Sequence, residues 1–231
     1  MVVRRAPTSL LIIVISLLCL VGTAASQETP VGGLDREMMA KGLTDIQSLD
    51  SEIRVELKYA TTDNFLHADV YGDLEHCYLQ KAVAEKLVAA QKALRKQKDG
   101  WSLLLYDCVR PRRVQLRMWN LVKGTEQQRY VAPPRSGSIH NYGAAVDLTI
   151  VDAAGQPLDM GTPYDFFGDL AQPQYEAKFL KEGKLSPAQI ENRRLLRQVM
   201  RATGFISRLD EWWHFNGFWK EEIEARYQII E

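Results

Sequence analysis

The chain has 231 residues, of which 46% are hydrophobic, and its 29 basic and 29 acidic side chains give a formal net charge of zero. This length is enough for one domain with a sizeable core. The balanced charge offers no basic patch for nucleic acid, and no second apolar run suggests an integral membrane protein.

The N-terminus has the pattern of a secretory signal peptide. Arg4 and Arg5 precede an apolar run over residues 10–21, and small residues follow the run up to Ser26. The run is short for a helix that spans a bilayer, so a retained N-terminal anchor is only an alternative. We therefore expect residues 1–26 to be removed on export, which leaves no stable membrane span.

The mature chain is expected to lie in the periplasm or to be secreted. Residues 27–44 are predicted to be a lead-in, and residues 45–231 to form one folded domain. This part contains two cysteines, Cys77 and Cys108. In an oxidising compartment such a pair usually forms a disulfide, and two separate buried thiols are the alternative.

The first predicted elements are a strand and a long helix, separated by a loop. Residues 53–57 alternate apolar and polar side chains, which is typical of a half-buried strand. Residues 59–71 are rich in Asp, Asn, Thr and Gly and predict a loop. A helix follows, because apolar residues then recur at spacings of three and four: Leu79, Val83, Leu87, Ala90 and Leu94.

The middle of the chain predicts two core strands. Residues 101–109 form a mostly apolar run of strand length. Pro111 suits the first position of a helix, which ends before Gly124. After an open loop at 127–137, residues 145–151 predict the second strand.

The last third predicts one helix and the closing strands. Residues 159–184 contain Gly, Pro and Asp at intervals and are expected to be irregular. Ser186 and Gln189 have the spacing of a capping box that begins a helix. Residues 205–207 and 212–218 then pair to close the sheet. This order of elements predicts an α+β fold rather than a wound parallel sheet.

Two short motifs contain the residues for a metal centre. The stretch SIHNYGAAVD includes His140 and Asp147, and EWWHF includes Glu211 and His214. Two imidazoles and one carboxylate are a ligand set that catalytic zinc prefers, with a fourth position left for water. Asp147 alternates with apolar neighbours along its strand, so its buried charge needs a partner. Glu211 is then expected to be the general base.

Each of these assignments has a simpler alternative. His140 and Asp147 could share a buried hydrogen bond without a metal, and Glu211 could be a surface carboxylate at the start of a strand. The other two of the four histidines, His67 and His76, have polar or acidic neighbours and are expected on the surface.

Five ordered motifs resemble the zinc D-Ala-D-Ala peptidases, and in particular the VanX-type dipeptidases. Besides the two motifs above, these are KYATTDNF at 58–65, YDCVRP at 106–111 and MGTPYDFF at 160–167. The resemblance covers about residues 45–219. It implies a Hedgehog/D,D-peptidase-like fold with a central, mostly antiparallel sheet flanked by helices. It also implies one Zn²⁺ per chain and hydrolysis of a small dipeptide, D-alanyl-D-alanine, to two D-alanines.

The resemblance assigns the chemical roles residue by residue. His140, Asp147 and His214 would be the zinc ligands, and Glu211 would be the catalytic base. Arg110 would stabilise the oxyanion, because a fixed guanidinium beside the metal favours charge that appears only in the transition state. A surface arginine at a helix N-terminus is the alternative for Arg110.

Substrate recognition is assigned in the same way. Asp165 matches the carboxylate that holds the free amino group of the substrate, and Tyr59 and Ser138 match residues that line the dipeptide pocket. An acid that must pair with an ammonium excludes longer peptides. Asp159 and Asp169 compete for this role, but only Asp165 follows Gly-Thr-Pro-Tyr in the matching place.

Two other functions are considered for the same residues. One is a D,D-carboxypeptidase that trims longer peptidoglycan stems. The other is a non-catalytic zinc-containing binding domain like the Hedgehog signalling domains, which needs neither Glu211 nor Arg110. A Cys77–Cys108 bond would have a stabilising role in either case.

Overall fold

The computed structural model describes residues 1–2 and 32–231. The predicted signal peptide therefore lies, apart from its first two residues, outside the described part. Among the described residues there are seven α-helices and seven strands. The helices are α1 (Gly33–Ala40), α2 (Ile46–Leu49), α3 (Lys81–Gln97), α4 (Arg112–Val122), α5 (Glu176–Lys181), α6 (Pro187–Arg201) and α7 (Lys220–Arg226). The strands are β1 (Thr44–Asp45), β2 (Arg54–Val55), β3 (Tyr78–Leu79), β4 (Ser102–Asp107), β5 (Ala145–Val151), β6 (Ile206–Ser207) and β7 (His214–Asn216).

Five of the strands form the central sheet, in the order β2-β4-β5-β7-β6. β2 runs parallel to β4, and the other three pairings are antiparallel. β1 and β3 form a separate antiparallel pair. The predicted α+β fold with a mostly antiparallel sheet is confirmed.

Helices α3 and α6 pack together against one face of this sheet. Leu103 and Leu105 of β4 and Val146 and Leu148 of β5 are fully buried in the same cluster as Leu87 of α3. Because side chains alternate across a strand, these residues commit one face to the core. Each buried side chain of this size stabilises the fold by about 1.5–3 kcal/mol.

A register shift in β4 brings a polar residue to the opposite face. Strict alternation would place Asp107 on the core face with Leu103 and Leu105. The pairing with β5 shifts between Leu105 and Asp107, so Asp107 lies opposite Asp147. Asp147 in turn lies opposite His214 of β7. The sheet thus presents a row of polar residues at one end.

The capping box predicted for α6 is present. The Ser186 hydroxyl accepts a hydrogen bond from the backbone N–H of Gln189 at 3.2 Å, and the Gln189 side chain accepts from the N–H of Ser186 at 2.8 Å. These two bonds satisfy donors that a helix N-terminus leaves free. The long, periodic elements agree with their sequence patterns, except that Leu79, which was counted in the stripe of the first long helix, lies in β3, and α3 begins at Lys81.

The short elements differ from expectation. Part of the predicted lead-in folds as α1 and β1, and α5 lies within residues 159–184, which were expected to be irregular. The strand predicted at 53–57 is reduced to β2, and β7 begins only at His214. These elements have two to eight residues and are too short to show a clear period in the sequence.

The helix α1 is attached through a buried carboxylate. Asp35 accepts hydrogen bonds from the backbone N–H groups of Glu75 and His76, and the Nδ1 atom of His76 lies 3.1 Å from its Oδ1. His76 is therefore half-buried rather than a free surface residue, whereas His67 is exposed as expected. Among the described residues, no helix has the length and apolarity needed to cross a membrane.

Candidate active site

Three side chains converge at the polar end of the sheet. The Nε2 atom of His140 lies 3.2 Å from Nδ1 of His214 and 3.4 Å from Oδ1 of Asp147, and these last two atoms are 2.9 Å apart. Ligand atoms bound to one tetrahedral ion at about 2.0–2.1 Å lie about 3.3 Å from each other. The observed triangle fits one small cation.

In each imidazole, the ring nitrogen that points away from the other two side chains has its own hydrogen-bond partner. Nδ1 of His140 donates to the carbonyl oxygen of Cys108 at 2.7 Å, and Nε2 of His214 donates to Oδ1 of Asn216 at 2.8 Å. These partners assign the tautomers, so the inner nitrogens carry lone pairs. Without a metal, a hydrogen bond from His214 to Asp147 would require a proton on Nδ1 of His214. A neutral ring would then have no proton on Nε2 to donate to Asn216, and a ring with both protons would be positively charged.

Asp147 completes the set as a carboxylate. Burial raises the pKa of Asp147, but the imidazoles of His140 and His214 outweigh burial and hold this pKa well below its ordinary value. The Tyr164 hydroxyl donates a hydrogen bond to Oδ2 of Asp147 at 3.0 Å, and the other oxygen, Oδ1, faces the two imidazoles. With these tautomers three acceptor atoms face one another in a buried space, an arrangement that a bound cation would stabilise.

Glu211 lies in the turn before β7. Its Oε2 atom is 3.9 Å from Nδ1 of His214, and 33% of its side chain is exposed. Burial raises the pKa of Glu211; His214 lowers it, and the negative charge of Asp147 raises it further. A carboxyl group with a raised pKa beside a cation site is suited to accept and return a proton near neutral pH.

Arg110 is held by a network that the sequence did not reveal. Its guanidinium forms a buried ion pair with Asp107, and Nη1 donates to Oε1 of Gln115 at 3.1 Å. The guanidinium carbon lies 5.1 Å from the ring centre of Tyr59. Among the described residues the buried Nε–H of Arg110 has no hydrogen-bond acceptor. The alternative of a surface arginine is wrong, because Arg110 is 8% exposed.

Asp165 has a backbone conformation that is unusual for an aspartate. Its φ of 57° lies in the left-handed region, and its Oδ2 atom accepts a hydrogen bond from the Tyr59 hydroxyl at 2.8 Å. Burial raises the pKa of Asp165 well above its ordinary value, although the Tyr59 hydroxyl opposes this. A bound ammonium would restore the ionised form, because an opposite charge favours it.

Residues 160–170, here called the Asp165 loop, are fixed by a buried arginine of α6. The Nε atom of Arg193 donates to the carbonyl oxygen of Met160 at 2.6 Å, and Nη2 donates to that of Leu170 at 3.1 Å. Arg193 is 1% exposed and lies 3.5 Å from a Glu176 oxygen. One side chain therefore joins both ends of the loop.

The predicted side chains share one cavity of about 150 Å³. Its polar lining includes every candidate from the sequence: Tyr59, Arg110, Ser138, His140, Asp147, Asp165, Glu211 and His214. The Ser138 hydroxyl accepts from the His140 backbone N–H at 3.3 Å. The two competing carboxylates, Asp159 and Asp169, are exposed and do not line this cavity.

Aromatic rings close one side of the cavity. The ring of Tyr130 stacks on Phe167 with centroids 4.1 Å apart, and Phe65 meets Phe167 edge-on at 4.7 Å. The Tyr130 hydroxyl also donates to the carbonyl oxygen of Phe167 at 3.1 Å. These contacts limit the space available to a ligand.

The cysteines meet beside this site. Cys77 and Cys108 are bonded in the structure, with Cα atoms 5.5 Å apart. The Cys108 carbonyl accepts from His140, and its N–H donates to Oδ1 of Asp107 at 2.9 Å. The backbone of one cysteine thus contacts both the cation site and the carboxylate that holds Arg110.

Several residues of the site were missed by sequence reasoning, among them Asp107, Tyr164 and Arg208. Asp107 and Tyr164 lie inside quoted motifs, but their roles depend on a register shift and on a loop conformation. Arg208 lines the cavity as well, and its sequence neighbours give no signal of this.

Two imidazoles and a carboxylate that could hold a cation, with a second carboxylate and a guanidinium in the same cavity, are the arrangement expected of a metal-dependent hydrolase. The family model described as D-ala-D-ala dipeptidase matches residues 39–228. The chain belongs to this family, and it is a peptidase.

Several curated relatives are similar over most of their length. The D-alanyl-D-alanine dipeptidase of Escherichia coli (strain K12) is 32% identical over 174 residues, which cover 75% of this chain and 83% of that protein. That of Enterococcus faecium is 31% identical over 197 residues, covering 77% and 92%. That of Streptomyces coelicolor is 32% identical over 189 residues, covering 74% and 88%.

Proposed function

We propose that the chain is an exported zinc enzyme that hydrolyses D-alanyl-D-alanine to two D-alanines. The observation that carries this proposal is the convergence of His140, Asp147 and His214 in the same small cavity as Glu211 and Arg110. The names of the curated relatives support the substrate.

Zinc is the metal that the donor set favours. Two imidazole nitrogens and one carboxylate oxygen are the ligands of many catalytic zinc sites, and hard cations such as Mg²⁺ prefer oxygen donors alone. When bound, zinc supplies a Lewis acid that polarises the scissile carbonyl and activates water.

Glu211 serves as the general base and then as the general acid. It takes the proton of the attacking water and later delivers it to the nitrogen of the leaving D-alanine. Its raised pKa brings the group closer to the pH at which both transfers are efficient.

Arg110 stabilises the negative charge that develops on the carbonyl oxygen. Asp107 and Gln115 hold the guanidinium in place before the substrate binds. Little reorganisation is then needed when the charge appears, which is the condition for strong electrostatic stabilisation.

Asp165 selects the free amino group of the dipeptide. Tyr59 lies beside it and Ser138 lines the same cavity, and Asp165 offers the ammonium a partly buried carboxylate. A longer or blocked peptide would leave that carboxylate without a charged partner. The small cavity also disfavours the alternative of a carboxypeptidase that acts on long stems.

The predicted signal peptide and the cysteine pair both support export. Residues 1–26 are proposed to be a signal peptide, and residues 45–231 the catalytic domain. The Cys77–Cys108 bond is proposed to form after export, since reducing compartments keep thiols free. Titration of thiols in the denatured protein tests this, because two free thiols before reduction would refute the bond.

The test of the function is a comparison of substrates. The purified zinc-loaded protein is incubated with D-Ala-D-Ala, L-Ala-L-Ala, N-acetyl-D-Ala-D-Ala and a pentapeptide stem ending in D-Ala-D-Ala. We expect rapid release of D-alanine from the first alone. Preference for the stem would support a carboxypeptidase, and zinc binding without any hydrolysis would support a binding domain.

A further inference from the structure

The proposed substrate carries a charge that the residues discussed so far do not pair. A free dipeptide has an ammonium at one end and a carboxylate at the other. Asp165 is the proposed partner of the ammonium. A carboxylate that enters a small cavity loses hydration, and this loss is costly unless a cation replaces it.

The chemistry of the leaving group determines where this carboxylate lies. In the second alanine the amide nitrogen and the carboxylate are attached to the same carbon atom. Glu211 must reach that nitrogen to protonate it, so the carboxylate must bind on the Glu211 side of the site. The negative charge of Glu211 would repel it there unless a cation lies next to both.

Arg208 is a cation in that position. Ser207 pairs with Phe215 in the β6–β7 hairpin, and the backbone N–H of Arg208 donates to the carbonyl oxygen of His214 at 3.4 Å. Cross-strand neighbours share a face of the sheet, so Arg208 lies on the same side as the cation site. Its Nε atom is 3.6 Å from Oε2 of Glu211.

Arg110 and Arg208 both line the cavity but differ in their exposure. Arg110 is buried and committed to Asp107 and Gln115. The side chain of Arg208 is 44% exposed, and its Nε and Nη2 groups donate to the two carboxylate oxygens of Asp210. A guanidinium has five N–H donors, so Arg208 keeps donors for a second carboxylate while Asp210 orients it.

We infer that Arg208 binds the C-terminal carboxylate of the dipeptide and thereby selects substrates with a free C-terminus. This inference rests on the proposed function. With Asp165 it makes the cavity a receptor for a zwitterion, in which each end of the substrate meets one opposite charge.

The test pairs an arginine substitution with removal of the substrate charge. Wild type and Arg208→Met are assayed with D-Ala-D-Ala and with D-alanyl-D-alaninamide, whose C-terminus is neutral. We expect Arg208→Met to raise KM for D-Ala-D-Ala about 10–50-fold with a smaller change in kcat, as for loss of a charged hydrogen bond. KM for the amide should change less than twofold.

Two further variants make the outcome decisive. Arg201→Met removes another arginine attached to β6, since Arg201 donates to the Ser207 hydroxyl at 2.9 Å, and it should leave both KM values unchanged. Arg208→Lys keeps the cation and should fall between wild type and Arg208→Met.

Each result has one meaning. Equal losses on both substrates, or an unchanged KM for D-Ala-D-Ala in Arg208→Met and Arg208→Lys, would overturn the role of Arg208 while the dipeptidase function stands. A wild-type protein that does not hydrolyse D-Ala-D-Ala would overturn the proposed function and this inference together.

Discussion

The cation site and the Asp165 loop are held in place by different kinds of structure. Asp147 and His214 lie on neighbouring strands, and His140 is tied to the Cys108 carbonyl at the end of a third. The Asp165 loop is instead joined at its two ends by the side chain of Arg193. The first region depends on backbone pairing, and the second depends on one side chain.

The residues proposed for bond cleavage and the residue proposed to recognise the amino group of the substrate therefore lie in different kinds of structure. Residues proposed to make and break bonds lie on or next to strands, where small errors in position are strongly resisted. The residue proposed to recognise the amino terminus lies on a loop. Substitutions in the first region should therefore reduce kcat, and substitutions in the second should chiefly raise KM.

The largest effect is expected for Glu211→Ala. Without a general base, kcat should fall by about 10²–10⁴-fold, while the three proposed ligands still bind one zinc. Turnover and metal content are measured on the same sample. Wild-type turnover in this variant would exclude Glu211 as the base, and loss of zinc would instead place it among the ligands.

Asp165→Asn should have the next largest effect. The ammonium would lose its charged partner, so KM for D-Ala-D-Ala should rise about 10–100-fold with less change in kcat. The ratio of kcat/KM for D-Ala-D-Ala to kcat/KM for N-acetyl-D-Ala-D-Ala should fall by a similar factor. Asp169→Asn changes an exposed carboxylate of the same loop and serves as the control. If both variants behave alike, the recognition role is wrong.

A smaller effect is expected for Arg193→Lys. An ammonium cannot replace the planar guanidinium that bridges the carbonyls of Met160 and Leu170, so KM should rise about 3–10-fold at nearly constant kcat. Arg197→Lys is the matched control, because Arg197 binds Glu176 at 2.7 Å and, among the described residues, donates no hydrogen bond to the loop. A fall in kcat or in zinc content would contradict the separation of the two regions.

The pH dependence should sharpen the same comparison. The pKa of Asp165 is raised by burial, and the ammonium needs the ionised carboxylate. The value of kcat/KM should therefore rise with pH through the pKa of Asp165 as well as through that of the base Glu211, and Asp165→Asn should lose only the part that belongs to Asp165. Because the folded protein binds this proton more tightly, its contribution to stability is present at low pH and is lost as pH rises through the folded pKa. A pH profile of kcat/KM with the same shape in wild type and in Asp165→Asn would contradict the titration of Asp165.

The sequence was most informative where residues repeat or form motifs. The apolar period of α3 and the capping box of α6 predicted both helices, and the ordered motifs predicted the residues that line the cavity. Asp107 was missed because a register shift moves it from the core face, and no alternation pattern encodes such a shift. Arg208 was missed because only the pairing of β6 with β7 brings it opposite His214.

The most direct measurement of the central claim is anomalous diffraction at the zinc edge from crystals of the zinc-loaded protein. The account predicts one peak at about 2.0–2.2 Å from Nε2 of His140, Nδ1 of His214 and Oδ1 of Asp147. A zinc ion bound elsewhere, or the absence of a peak between these three atoms, would contradict it.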